Sequence, residues 1–126
     1  MQASLLVAIA VAGSLGSLCR YLLTVLVVSW CGTFPLHTFV VNLLGCLLFG
    51  VCWAMGHGRW PANVTTVVLV GFFGAFTTFS SLAFDCVMLA EDRRFGALAA
   101  NLLGQNVLGL LSMWGGIALG NWLSAE

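Results

Sequence analysis

Apolar positions along this chain fall into four long runs, and charged ones gather almost entirely in the gaps between them. The runs cover about residues 3–29, 36–55, 64–90 and 95–123, with Arg20 the one charge inside the first and Asp85 near the end of the third. A helix needs roughly 20 mainly apolar residues to cross a hydrocarbon core about 30 Å thick, so each run is long enough to span. The gaps carry turn and interface chemistry. Cys31-Gly32-Thr33-Phe34-Pro35 reads as a turn with Pro35 at the start of a helix. Gly56-His57-Gly58-Arg59-Trp60-Pro61 joins glycine, charge, an aromatic and a breaker, and Glu91-Asp92-Arg93-Arg94 is the charged cluster. Trp30, Trp60 and Trp122 fall at span ends, where indole rings favour the interface. The first run lacks a basic leader and is too long for a signal-peptide core, so it reads as a mature span. The pattern predicts an all-α integral membrane protein, one domain over residues 1–126, with four transmembrane helices in a compact antiparallel bundle.

Composition sharpens this. With 61% hydrophobic and 6% charged residues, the chain lies outside both soluble globular and disordered classes. Its four basic residues, all arginine, balance four acids and offer no field for a phosphate backbone, which excludes nucleic acid as a partner. With the N-terminus inside, Arg59 would lie in an inner loop and Arg93 and Arg94 in an outer one, so the loops give no usable positive-inside bias. Either helix hydrophobicity or a partner sets the orientation, or the chain inserts both ways and pairs with itself head to tail. Five scattered cysteines without a C-x-x-C read as small hydrophobes. Closely spaced glycines, such as Gly13 with Gly16 and Gly115-Gly116 with Gly120, let membrane helices approach closely. The halves show no internal repeat, so any symmetry must come from a second chain.

Polar residues at membrane depth are costly and point to function. Here they are Arg20, Thr38, Asn42, Thr77-Thr78-Phe79-Ser80-Ser81, Asp85, Asn101, Gln105 and Asn106. Thr38 and Asn42 share one helical face, as do Asn101 and Gln105 with Asn106 alongside. These are mostly neutral donors and acceptors rather than titratable groups. The spans hold no buried Glu or Lys of the kind a proton-coupled pump titrates, no catalytic Ser-His-Asp or Cys-His set and no phosphate loop, so an enzyme is not expected. In Gly71-Phe72-Phe73-Gly74-Ala75-Phe76-Thr77-Thr78 the glycines and paired β-branched threonines are poor helix formers, which predicts a break in the third helix. Carbonyls freed there could hold a cation, and Phe79 beside them could turn its positive ring edge to an anion. The alternative is that Ser and Thr bond back to their own helix and the phenylalanines face lipid.

Two strings, Phe34-Pro35-x-x-Thr38-x-x-x-Asn42-x-x-Gly45 and Gly71-x-x-Gly74-x-x-Thr77-Thr78-Phe79-Ser80, resemble the signatures of the Fluc (CrcB) family of fluoride channels. Gly13-x-x-Gly16-x-x-x-Arg20-Tyr21 and Asn106-x-x-Gly109 extend the likeness over the whole chain. The resemblance implies a passive, fluoride-selective exporter in the cell (inner) membrane, built as an antiparallel, dual-topology dimer of one chain or of two related subunits. It implies two pores flanking a central structural sodium ion. Gly74 and Thr77 would give that ion backbone carbonyls. Asn42 would be the amide donor and Phe79 the ring facing the fluoride path, Ser80 would belong to the same pore, Thr38 and Asn106 would continue a polar track, and Arg20 would supply the vestibule charge.

Leu82 stands where the family pattern has a second pore phenylalanine, Leu110 where some members have serine, and His37 where glycine usually precedes the threonine. Asp85 replaces a frequent glutamate. These departures keep open a non-conducting or partner-dependent subunit of a heteromeric channel. A small multidrug-type exporter needs a first-span carboxylate, and this first span has none.

Overall fold

The structure, a computed structural model, describes residues 3–30 and 32–125. The expectations placed on Cys31, in the first turn and among the cysteines, lie outside the described residues. Among the described residues four stretches are long and apolar enough to cross a membrane: Ala3–Val28, Leu36–Gly56, Ala62–Glu91 and Phe95–Leu123. They are built from five helices. Helix α1 is Ala3–Val28 and α2 is Leu36–Gly56. Helix α3, residues 62–76, begins as an α-helix over Ala62–Thr65, widens to a π-helix over Thr66–Phe73 and closes with Gly74–Phe76. Helix α4 is Phe79–Glu91 and α5 is Phe95–Leu123.

The connections follow from local chemistry. Pro35 and Pro61 stand immediately before α2 and α3, where a fixed φ suits the first turn and a missing N–H costs nothing. Arg93 turns the chain between α4 and α5 with a left-handed φ of 57°. The N–H groups of Arg93 and Arg94 close that end onto the carbonyls of Ala90 (3.0 Å) and Leu89 (2.9 Å), satisfying acceptors that the helix leaves open. Two arginines then brace distant loops. Arg59 Nη2 donates to the Ser124 carbonyl at 2.8 Å, and Arg94 donates to the Thr33 hydroxyl at 2.9 Å and to the Thr33 carbonyl.

Packing depends on missing side chains. A Cβ at Gly50 would stand 2.5 Å from the Met113 carbonyl oxygen, and one at Gly116 would collide with the Leu47 carbonyl, so α2 and α5 cross with backbones in contact. A Cβ at Gly16 would likewise collide with the Phe72 carbonyl, which sets α1 against the π-helical part of α3. Close packing of this kind, together with hydrogen bonds between helices, holds helices together in lipid. A small buried cluster, Val41, Leu69, Phe73 and Phe76, is flanked by Phe49 and Phe72. Phe72 meets Phe73 edge-on at 5.1 Å, a favoured aromatic geometry. Most other large apolar side chains, among them Leu15, Tyr21, Phe84, Leu110 and Trp114, are exposed. That inside-out distribution suits a surface bathed in hydrocarbon.

Candidate functional site

The third span is interrupted at two residues. After Phe76, Thr77 (φ −81°, ψ 158°) and Thr78 (φ −148°, ψ 111°) are extended, and the helix restarts at Phe79. Thr77 still bonds backward: its N–H and its hydroxyl both reach the Phe73 carbonyl, at 3.1 and 3.0 Å. Thr78 does not. Its N–H, which in an unbroken helix would serve the Gly74 carbonyl, donates to Asn42 Oδ1 at 2.8 Å, while Asn42 Nδ2 donates to the Thr78 carbonyl at 3.1 Å. One side-chain amide from α2 therefore replaces the missing backbone pairing in both directions, as a polar backbone at bilayer depth requires.

Thr78 also caps α4. Its Oγ1 accepts from the Ser81 N–H at 3.2 Å, with the Ser81 and Ser80 hydroxyls at 3.0 and 3.1 Å. Changing Thr78 to valine keeps the shape and removes this acceptor, and is expected to cost about 1 kcal/mol, typical of a lost N-cap. Thermal unfolding in detergent checks it; an unchanged melting temperature would show that the cap carries no weight.

The Asn42 amide has two hydrogens. The second goes to Gln105 Oε1 at 2.7 Å; Gln105 Nε2 donates to Asn101 Oδ1 at 2.9 Å, and Asn101 Nδ2 points to Cys86 Sγ at 3.6 Å. The order is dictated from one end. Only one orientation of Asn42 matches both halves of the Thr78 peptide, which makes Gln105 present oxygen to it, which makes Asn101 present oxygen to Gln105. Gln105 is 5% exposed and Asn101 is fully buried. Sequence reading noted both as intramembrane amides but left them out of the site. Their i, i+4 spacing was the available signal, and the partner on α2 was not visible.

Two cavities border Thr78. One, about 210 Å³, is lined by Asn42, Cys46, Thr77, Thr78, Phe79, Leu82, Gln105 and Asn106. The other, about 270 Å³, holds Arg20, Thr38, His37, Ser81 and Tyr21 among its walls. Thus Asn42, Phe79, Leu82 and Asn106 share one space and Arg20 and Thr38 the next, separated by Thr78 and its Asn42 latch. Phe79 is 77% exposed, whereas Leu82 is buried. Asn106 donates back to the Leu102 carbonyl at 2.7 Å. Gly74 and Ser80 are exposed and line neither cavity. Asp85 lines a third cavity with His37, Asp92 and Arg94.

The interruption also juxtaposes two helix ends of opposite polarity. Carbonyls at the end of α3 present partial negative charge and the first amides of α4 partial positive charge. A negative and a positive pole therefore lie within a few residues of each other. Among the described residues no group of three or more His, Cys, Asp or Glu side chains could hold a metal.

Comparison with known proteins agrees in length and character. Residues 7–117 match the family model described as CrcB-like protein, Camphor Resistance (CrcB). The chain is 48% identical over 115 residues to the fluoride-specific ion channel FluC of Solidesulfovibrio magneticus, covering 89% of this chain and 92% of that one. It is 45% identical over 114 residues to the protein of the same name from Nitrosococcus oceani, covering 88% and 91%, and 44% identical over 118 residues to that of Nitratidesulfovibrio vulgaris (Miyazaki F), covering 91% and 95%. A four-span apolar chain matched over nearly its full length by these proteins is a multi-pass membrane protein and belongs to the CrcB (FluC) family, a family of ion channels and not of enzymes.

Proposed function

We propose that this chain is a fluoride channel that lets cytoplasmic fluoride leave passively through a four-span membrane domain. The observation that carries the reading is the Thr78 interruption latched by Asn42 and flanked by Phe79, in a chain of this family. Fluoride is small and strongly hydrated, so a selective path must replace its water with donors in a narrow space and still release it. Amide hydrogens of Asn42 and Asn106 and the ring edge of Phe79 are donors of suitable, modest strength. Arg20 in the neighbouring cavity supplies the positive charge that draws an anion toward the mouth. Thr38 and Ser80 belong to the same reading as polar wall and rim, and Leu82 as the apolar side of the path.

The finer architecture is part of the proposal. Two copies inserted in opposite orientations would place two interruptions face to face, with Gly74 and Thr77 carbonyls from each holding a sodium ion. The Gly74 carbonyl, deprived of the Thr78 N–H, is supported as one such ligand. When bound, the ion supplies a fixed positive charge that lowers the cost of an anion nearby. The exposed Phe79 is free to meet a second chain. A partner-dependent subunit is the second reading, favoured by buried, apolar Leu82 where a second ring would serve an anion.

Purified protein in liposomes loaded with potassium fluoride is expected to release fluoride once a potassium ionophore removes the charge limit, and to release chloride far more slowly. Silence of the chain alone with activity restored by a related subunit would select the second reading. Silence in both settings would end the proposal.

A further inference from the structure

We infer that Gln105 is a competitor for the anion, and so sets both the rate and the selectivity of the path; this rests on the fluoride-channel reading above. Asn42 is the amide nearest the interruption, and both of its hydrogens are in use: one on the Thr78 carbonyl and one on Gln105 Oε1. The first holds the backbone together and is not free to leave. The second is the hydrogen an anion in the adjoining cavity can take, and Gln105 Oε1 already occupies the acceptor position at 2.7 Å.

Gln105 is held there. It is buried on α5, its nitrogen donates to the fully buried Asn101, and the two lie one turn apart on the same helix. An entering anion therefore exchanges one acceptor for another on the same N–H, and must out-compete a neutral amide oxygen to do so. Fluoride, compact and the strongest acceptor among the halides, gains more from that hydrogen than an amide oxygen does. Chloride, larger and a weaker acceptor, gains less and leaves the Asn42–Gln105 bond closed. The residue acts through Asn42, as a positioning and specificity-determining group, and the sign of its effect separates this role from a structural one.

The test uses the full chain in liposomes, comparing wild type with Gln105→Met, which fills nearly the same volume without an acceptor, and Gln105→Asn, whose oxygen stops one methylene short. Both are expected to move fluoride about three- to tenfold faster than wild type, the range a single neutral hydrogen bond spans, and to let chloride through more readily relative to fluoride. Gel filtration of each variant reports whether it folds, and the asparagine variant carries the test if the methionine one does not. Fluoride efflux equal to or slower than wild type in the folded variants, or unchanged selectivity, would overturn the inference while leaving the channel reading intact. Absence of fluoride efflux from wild type and variants alike would overturn both.

Discussion

Asn42→Ala is expected to abolish measurable fluoride efflux and to loosen the third span in the same stroke. The side chain makes three bonds that nothing else replaces: it accepts from the Thr78 N–H, donates to the Thr78 carbonyl and donates to Gln105. Truncation strands all three partners in a partly buried setting. Each unpaired group costs about 1–3 kcal/mol, so a total near 3 kcal/mol, or about 100-fold in the population of the correctly latched state, is a low expectation. Asn42→Asp is the harsher change. A carboxylate keeps the acceptor for the Thr78 N–H but brings no hydrogen for the Thr78 carbonyl, for Gln105 or for an anion, and sets a charged oxygen against both of those acceptors. The aspartate variant should therefore melt no higher than the alanine variant and be equally silent in fluoride flux. Wild-type flux from the alanine variant would remove Asn42 from the path.

The second large effect is expected far from any polar group. Gly116→Val should prevent α2 and α5 from closing, because even a Cβ at Gly116 collides with the Leu47 carbonyl and approaches Val51 N at 3.1 Å. Backbone atoms cannot rotate away as a side chain can. The helices must separate, giving up the close contact that also positions Gly50 against Met113. Overpacking a tight core costs about 1–3 kcal/mol and more when backbone must shift, so this variant is expected at or beyond the upper end. Its neighbour is the control. A Cβ at Gly115 meets nothing within 4 Å, so Gly115→Ala should be neutral or gain up to about 1 kcal/mol from helix propensity. Fluorescence-detected gel filtration after a heat step compares the two; equal survival would refute the packing account.

Much of this was legible in the sequence because charges and breakers are confined to a few places. Arg59 with Trp60-Pro61, and Glu91 to Arg94, divide apolar runs that have no other way to bury their backbone than as spanning helices. The pairing of Thr77 with Thr78 marked the position where the third span turns extended, since two β-branched residues after glycine weaken a helix locally. Long-range partners were out of reach. Asn42 meets Thr78 across 36 positions and Gln105 across 63, and no spacing rule connects residues on different helices. The division of the polar residues between two cavities was hidden for the same reason, so Thr38 and Asn42, one turn apart on a wheel, line different spaces. The burial of Leu82 beside exposed Phe79 was equally unreadable, because both are large and apolar and in lipid neither hydrophobicity nor spacing says which of them turns inward.

The π-helical winding of Thr66–Phe73 has a consequence for how this chain tolerates changes in length. A π turn closes its hydrogen-bonded ring with one residue more than an α turn does. Elsewhere in a span, deleting a residue rotates everything beyond it by about 100°, since an α-helix advances 3.6 residues per turn. Within these eight residues a deletion can instead be absorbed by tightening one wide turn to an ordinary one, leaving Thr77 and Thr78 aimed as before. Insertions and deletions are therefore unequal along the third span: the segment before the interruption has slack of one residue, and α4 behind it has none.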